Sequence, residues 1–324
     1  MARVVDLLRL GRVPLAPTAA FDALACALLA RGPGFGRAGA PAVSLGDGLL
    51  LAATSILVYV AGMAGNDWAD RRIDRNLHPE RPIPARRISP LAAGVFALLC
   101  AAGALALGGG PEGSRAAVGA ALAFALVYDG GAKRSAILGP LAMFGVRAAN
   151  AAIGVIPLWL SGQVEPLGLA APLLVGLYSA GVTVLSLAEE PGRAALPRLR
   201  FARAAAFTAF AGAIALAVFG AGGVTFGAIF GVSVCVSIAA GRTPRTWAYP
   251  RAVGPEIRSD RVRIPLPVRA QVLELLLGLF WLEAILAGGA RPGGDWIFAL
   301  GSFGLAFTGI VLAQLSIQTL RRRA

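Results

Sequence analysis

The stretch from Asn66 to Pro90, NDWADRRIDRNLHPERPIPARRISP, concentrates the residue types that can do chemistry. Asp67, Asp70 and Asp74 stand three and four residues apart, a spacing that sets three carboxylates along one face of a helix. Asn66 begins the same face. A row of carboxylates at the end of an apolar segment is costly unless something positive occupies it. Hard oxygen ligands in that arrangement suit Mg²⁺, which is usually held by one or two carboxylates plus substrate phosphates. Arg71, Arg72, Arg75, Arg81, Arg86 and Arg87 surround the acids, and a guanidinium fork matches phosphate oxygens. Acids for Mg²⁺ and arginines for phosphate, beside an apolar run, point to a lipid diphosphate. A solvated loop would explain the arginines but not the acid spacing.

Such residues need membrane-spanning helices to hold them at a bilayer surface, and the composition supplies these. Of 324 residues, 57% are hydrophobic and 15% charged, whereas soluble domains carry about a quarter charged residues. Mean hydropathy is +0.71. A span takes about 20 apolar residues. Apolar runs lie near residues 14–30, 45–65, 90–109, 115–129, 136–160, 167–188, 201–221, 223–241, 268–288 and 295–318. Gly/Pro turns separate several of them, among them GGGPEG at 108–113 and GGARPGG at 288–294. The run at 268–288 carries Gln271, Glu274 and Glu283 and is the weakest, so nine or ten helices are expected. The longest polar connection, residues 241–267, is too short for a soluble domain with its own core. Residues 1–324 therefore read as a single membrane-embedded domain.

The net charge of +13 is compatible with nucleic-acid binding. However, the basic residues stand in loops between apolar runs, without interleaved aromatics to stack bases; no nucleic-acid partner is expected. With a cytoplasmic N-terminus and ten spans, 25 of the 30 basic residues fall on the cytoplasmic side, 4 fall outside, and Arg147 alone lies within a span. That asymmetry follows the positive-inside rule. It predicts an integral membrane protein, in a bacterial plasma membrane, with its N-terminus in the cytoplasm. Cys26, Cys100 and Cys235 sit in apolar runs at no metal-ligand spacing and read as small buried hydrophobes. His78, the single histidine, is a loop residue with no chemistry assigned. Arg147 lies about eleven residues into the fifth run, roughly 16 Å along a helix, and Asn150 shares its face. A charge at that depth faces a cavity and has a partner. Substrate binding and pairing with a carboxylate on another helix are both open.

The pattern NDxxDxxxD followed by N-x-x-x-x-R-P-I-P is carried here by Asn66, Asp67, Asp70, Asp74, Asn76, Arg81, Pro82, Ile83 and Pro84. It resembles the first signature of the UbiA superfamily of intramembrane prenyltransferases. RVPLAPT, at residues 12–18, resembles the opening of that family's first helix, so the first run reads as an uncleaved span rather than a signal peptide. The resemblance implies an all-α polytopic membrane protein, a UbiA-type bundle of nine or ten transmembrane helices around a central cavity. It also implies Mg²⁺-dependent ionisation of an isoprenyl diphosphate and transfer of the prenyl group to a small acceptor, aromatic in most of the family. Tyr128 and Lys133 resemble the family's tyrosine-and-lysine loop, YxxxK, although four residues separate them here. Lys133 would place a point charge on a diphosphate oxygen, or else anchor the loop at the membrane surface. On this reading Asp67, Asp70, Asp74 and Lys133 are catalytic. Asn66, Arg71, Arg81, Tyr128, Arg134, Arg147 and Asn150 bind substrate.

Where the family usually carries a second acidic motif, DxxxD, for a second Mg²⁺, this chain offers Glu189 and Glu190. Adjacent residues do not share a helix face, so at most one faces a pocket; either could instead end a helix in water. The metal ligands implied are thus Asp67, Asp70 and Asp74, with Glu189 or Glu190 for a second ion. The overall pattern resembles the Ebo-type branch of UbiA-like proteins more than the ubiquinone-pathway enzymes. The alternative function, of another class, is a transporter or lipid-diphosphate-binding membrane protein that holds an anionic headgroup with the same loops.

Overall fold

A computed structural model describes residues 2–32, 34–36, 43–108, 114–187 and 195–221, with short helical pieces between 231 and 287. The chain runs α1 (Ala2–Leu10), α2 (Ala16–Ala30), α3 (Leu45–Asp70), α4 (Asp74–Leu77), α5 (Pro90–Leu107), α6 (Ser114–Asp129), α7 (Leu138–Ala151), α8 (Ile156–Leu160), α9 (Ala170–Ser186) and α10 (Ala195–Ala221). No β-strand occurs among the described residues; Gly36 and Val164 form an isolated bridge. Among the described residues, four segments are long and apolar enough to cross a membrane: Leu45–Asp70, Pro90–Leu107, Pro166–Ser186 and Arg200–Phe219. The protein is therefore all-α and polytopic. The apolar runs at 223–241, 268–288 and 295–318 lie mostly outside the described residues, as do Glu189 and Glu190.

Local signals set the helix ends. Ser44 caps α3, its hydroxyl accepting from Asp47 N at 3.1 Å, and Ser89 caps α5 by accepting from Ala92 N at 3.2 Å, with Pro90 in the first turn. The second apolar run was expected to carry all three aspartates on one helix. Instead α3 stops at Asp70, and Asp74 opens the separate turn α4. Arg71 and Ile73 between them keep right-handed backbone angles, so the chain direction is retained. The fifth run is likewise not one helix. It breaks after Ala151 into a 3₁₀ turn, Ala152–Gly154, and resumes as α8. Pro157 has no N–H to donate. Gly154 passes so close to α2 and α3 that a Cβ would lie 2.7 Å from Ala27 Cβ and 2.8 Å from Leu51 Cδ2.

α2 is built largely from alanine and is mostly buried, packing against α3, α7 and α9. Small side chains let backbones approach closely where no water drives association. α3 lies along α5, α7 between α6 and α9, and α10 against α9. One core cluster joins α2, α7, α9 and α10 through Cys26, Leu29, Ala151, Val175, Tyr178 and Phe210; another joins α3, α5 and α6 through Val58, Ala104 and Val118. The C-terminal ends of α3 and α6 meet at one end of the bundle, and α1 meets the 80s loop there. The opposite end holds the Gly36–Val164 bridge and Arg31, which donates to Gly154 O at 3.3 Å. The basic-residue count puts residues 66–90, 129–135 and 189–203 on one side; the first two segments do lie at one end of the bundle, and part of the third lies outside the described residues.

Candidate functional site

The site forms where α3 ends. Asn66 and Asp70 are one turn apart on α3, and Lys133 Nζ sits between them, donating at 2.7 Å to Asn66 Oδ1 and at 2.7 Å to Asp70 Oδ2. Asp129 adds a third oxygen at 3.4 Å. The turn after α6 makes this possible. Gly131 adopts φ 139°, a conformation that side-chain-bearing residues rarely take, and a Cβ on Gly130 would meet Leu126 O at 2.9 Å. The pair bends the chain so that the following 3₁₀ turn, Ala132–Arg134, brings Lys133 back over α3.

Arg81 completes the acid row. One of its terminal nitrogens donates to Asp74 Oδ2 at 2.7 Å and to Asp67 Oδ1 at 3.4 Å. The RPIP segment fixes it. Pro82 O accepts from Arg87 N and Ile88 N, and Ile83 and Ile88 are buried with Leu10, Ala64 and Ala93. Arg12 donates to Asp67 Oδ1 at 3.2 Å from a left-handed backbone turn at φ 46°. Asp67 and Asp74 are buried. Burial raises the Asp74 carboxyl above its ordinary range, and the Arg81 charge and hydrogen bond oppose that without cancelling it.

Mg²⁺ was expected to bind this row. Among the described residues no three carboxylates converge into a ready-made metal cage. Mg²⁺ is usually held by one or two carboxylates together with substrate phosphates. Asn66 Oδ1 and Asp70 Oδ2 already share one cationic nitrogen, so the donor set fits a small hard cation, with Asp67 and Asp74 beside it. The structure thus gathers Asn66, Asp67, Asp70, Asp74, Arg81 and Lys133 at one place. Tyr128 is half-buried, within electrostatic reach of Asp129, Arg12 and Asp70. Arg134 is exposed. Arg71 turns outward, its guanidinium carbon 4.2 Å from the Trp68 ring centre and Nη1 donating to Trp68 O at 2.6 Å.

Arg147 and Asn150 belong to a second polar cluster, deeper in the bundle. Arg147 Nη2 is 2.8 Å from Asp22 Oδ2, and Nη1 is 3.5 Å from Thr18 Oγ1. Asn150 donates to Ala19 O at 3.0 Å and accepts from Ser55 Oγ at 2.9 Å. α2, α3 and α7 are joined through this cluster. Of the two roles left open for Arg147, the pairing with a carboxylate on another helix is the one seen in this geometry.

Sequence reasoning missed three partners. Arg12 was counted only for topology, because nothing in linear spacing ties it to Asp67, 55 positions away. Asp129 stood next to Tyr128 without a role. Asp22 carried a usable signal: it is an acid inside the first apolar run, and Arg147 is a basic residue about eleven positions into the fifth.

A family model of the UbiA prenyltransferase family matches residues 23–253. Among solved structures, that of a digeranylgeranylglyceryl phosphate synthase aligns with TM-score 0.56 at 15% identity, covering 93% of this chain and 99% of that one. A UbiA homologue from Archaeoglobus fulgidus bound to GPP and Mg²⁺ aligns with TM-score 0.50 at 14% identity, covering 94% and 99%. The same homologue bound to DMAPP and Mg²⁺ gives TM-score 0.50 at 15% identity, covering 87% and 99%. At such identities the likeness is one of fold. No curated protein sequence matches significantly. The matches do not separate the Ebo-type branch from the rest of the family. With its apolar spans, its acid row under Lys133 and Arg81, and a family match over most of its length, the chain belongs to the UbiA prenyltransferase family.

Proposed function

We propose that this chain is an intramembrane prenyltransferase, acting as one domain over residues 1–324, that ionises an isoprenyl diphosphate and passes the prenyl group to a small aromatic acceptor. The observation that carries the reading is the acid row lying directly beneath cationic side chains, Lys133 on Asp70 and Arg81 on Asp74. The complexes of the Archaeoglobus fulgidus homologue with GPP or DMAPP and Mg²⁺ support it.

In this reading the isoprenyl tail lies among the helices and the diphosphate under the 66–90 and 129–135 loops. Asn66, Asp67, Asp70 and Asp74 would hold Mg²⁺, which supplies charge to neutralise the departing diphosphate, and Glu189 or Glu190 would serve a second ion. Lys133 carries three donors on a flexible stem and can turn from Asp70 to a phosphate oxygen. Arg81 supplies a fixed fork beside it, and Tyr128 and Arg134 line the approach, whereas Arg71 is turned away onto Trp68. The allylic C–O bond breaks with its electron pair leaving on the diphosphate, and the preorganised positive groups stabilise that developing charge. The acceptor ring attacks the allylic cation, a C–C bond forms, and the ring proton is lost. Apolar helix faces exclude the water that would otherwise capture the cation. The N-terminus and the site face the cytoplasm of a bacterial plasma membrane.

The test is diphosphate release from labelled geranyl diphosphate by purified protein, with Mg²⁺ and with chelator, with and without aromatic acceptors. Metal-dependent release with prenylated product supports the reading. Tight binding of the lipid diphosphate without any release replaces it with a binding or transport role.

A further inference from the structure

The loops that close the site divide their cations into two sets. Arg81, Arg87 and Lys133 turn inward onto Asp67, Asp74, Asp6 and Asp70. Arg71, Arg72, Arg75 and Arg86 turn outward instead and line a groove of about 620 Å³ over Ile83 and Pro84, with no carboxylate in its wall. Among the described residues Arg72, Arg75 and Arg86 make no ion pair. Four guanidinium groups gathered in one concavity repel each other unless an anion sits among them.

The surroundings place this groove at a membrane interface. Trp68, under Arg71, is partly exposed and packs over α5 at Gly94, where a Cβ would lie 3.3 Å from its Nε1. An indole at the end of a spanning helix is a headgroup-level anchor. From the groove, which ends at Ser89 and Pro90, the exposed side chains of Leu91, Val95 and Leu98 run along α5 at helical spacing. We propose that the groove binds the phosphate of an anionic bilayer phospholipid, with an acyl chain along this stripe of α5. The inward site differs in kind: its cations are matched by acids that can also take Mg²⁺, whereas the groove offers positive charge alone and an apolar floor. The inference does not depend on the prenyltransferase reading, since it concerns the outer face of the same loop.

The experiment uses the full chain in nanodiscs of phosphatidylcholine with graded phosphatidylglycerol, and counts retained phosphatidylglycerol by native mass spectrometry. Arg72→Gln/Arg75→Gln/Arg86→Gln should weaken retention on the order of a hundred-fold, at the usual worth of a basic side chain near an anionic surface. Binding of geranyl diphosphate should be unchanged. Equal retention by wild type and triple variant overturns the proposal. Displacement of the lipid by sodium phosphate at equal concentration also overturns it, because the groove then selects a free anion. Parallel loss of geranyl diphosphate binding overturns it as well, since the groove is then part of the substrate site. A photoactivatable phosphatidylglycerol on the wild-type protein gives a result independent of variant folding. Adducts within residues 68–98 support the proposal, and adducts confined elsewhere overturn it.

Discussion

Breaking the Arg147–Asp22 pair should cost far more than removing it whole. Arg147 is 8% exposed and Asp22 is 0% exposed. At an effective dielectric constant of about 20, unit charges 2.8 Å apart attract by about 6 kcal/mol. Desolvating the two ions costs several kcal/mol each, so the intact pair contributes little net stability. Arg147→Met leaves the Asp22 carboxylate buried without its guanidinium, at a cost of about 3–5 kcal/mol. That is a large share of a typical folding free energy of about 5–15 kcal/mol. Asp22→Leu should cost a similar amount from the other side. The double variant should recover most of the loss, so that its cost falls below that of either single variant and far below their sum. The assay is the fraction of monodisperse protein in detergent after graded heating, with the four proteins compared side by side. If Arg147→Met is as stable as wild type and loses only lipid-diphosphate binding, the pair is not structural and Arg147 serves substrate.

Lys133→Met should lower turnover about a hundred- to a thousand-fold, the range for losing one preorganised donor at a developing anion. Lys133→Arg should restore only part of it, because a planar fork cannot sit between Asn66 and Asp70 as a point charge does. Asp74 sets a pH dependence. Its carboxyl is raised above the ordinary aspartate value of 3.8, mainly by burial. The folded state therefore holds that proton more tightly, and the stability this contributes is present at low pH and lost as pH rises through the folded value. Activity that needs the carboxylate charged should switch on above the ordinary range, and Arg81→Gln should move that acid limb further upward; an unmoved limb in a pH–rate profile counts against the assignment. Single cysteines at 72, 86 and 134 should all be labelled from the same side of inverted vesicles. Labelling of any one from the opposite side contradicts the shared placement of these loops.

Much of this was legible in the linear chain where a physical signal is local. Apolar length marked α3, α5 and α9, because a span must be about 20 residues of low polarity. The acid row was legible because i, i+3 and i+4 neighbours share a face, and the RPIP turn because its order sets a resemblance. Three features were not legible. The interruption after Ala151 depends on Gly154 meeting Ala27 and Leu51, which are distant in sequence. The stop of α3 at Asp70 leaves no breaker residue in the chain to announce it. Arg12 reaches Asp67 only because α1 folds against the end of α3. Tertiary contacts decide all three. Asp22 and Arg147 lie between these cases: two opposite charges inside apolar runs invite pairing, but their helices cannot be placed together from spacing alone.

The most direct test is Mg²⁺-dependent diphosphate release from geranyl diphosphate by purified wild type, Asp70→Ala and Asp74→Ala, each shown to be folded and monodisperse. Each change removes an oxygen donor from the charge that stabilises the leaving group, a contribution of several kcal/mol, with about 1.4 kcal/mol per tenfold in rate. The account predicts metal-dependent release by wild type, and losses of two or more orders of magnitude in both variants. Release that is unchanged in both, or geranyl diphosphate that binds without any release from wild type at any Mg²⁺ concentration, would contradict it.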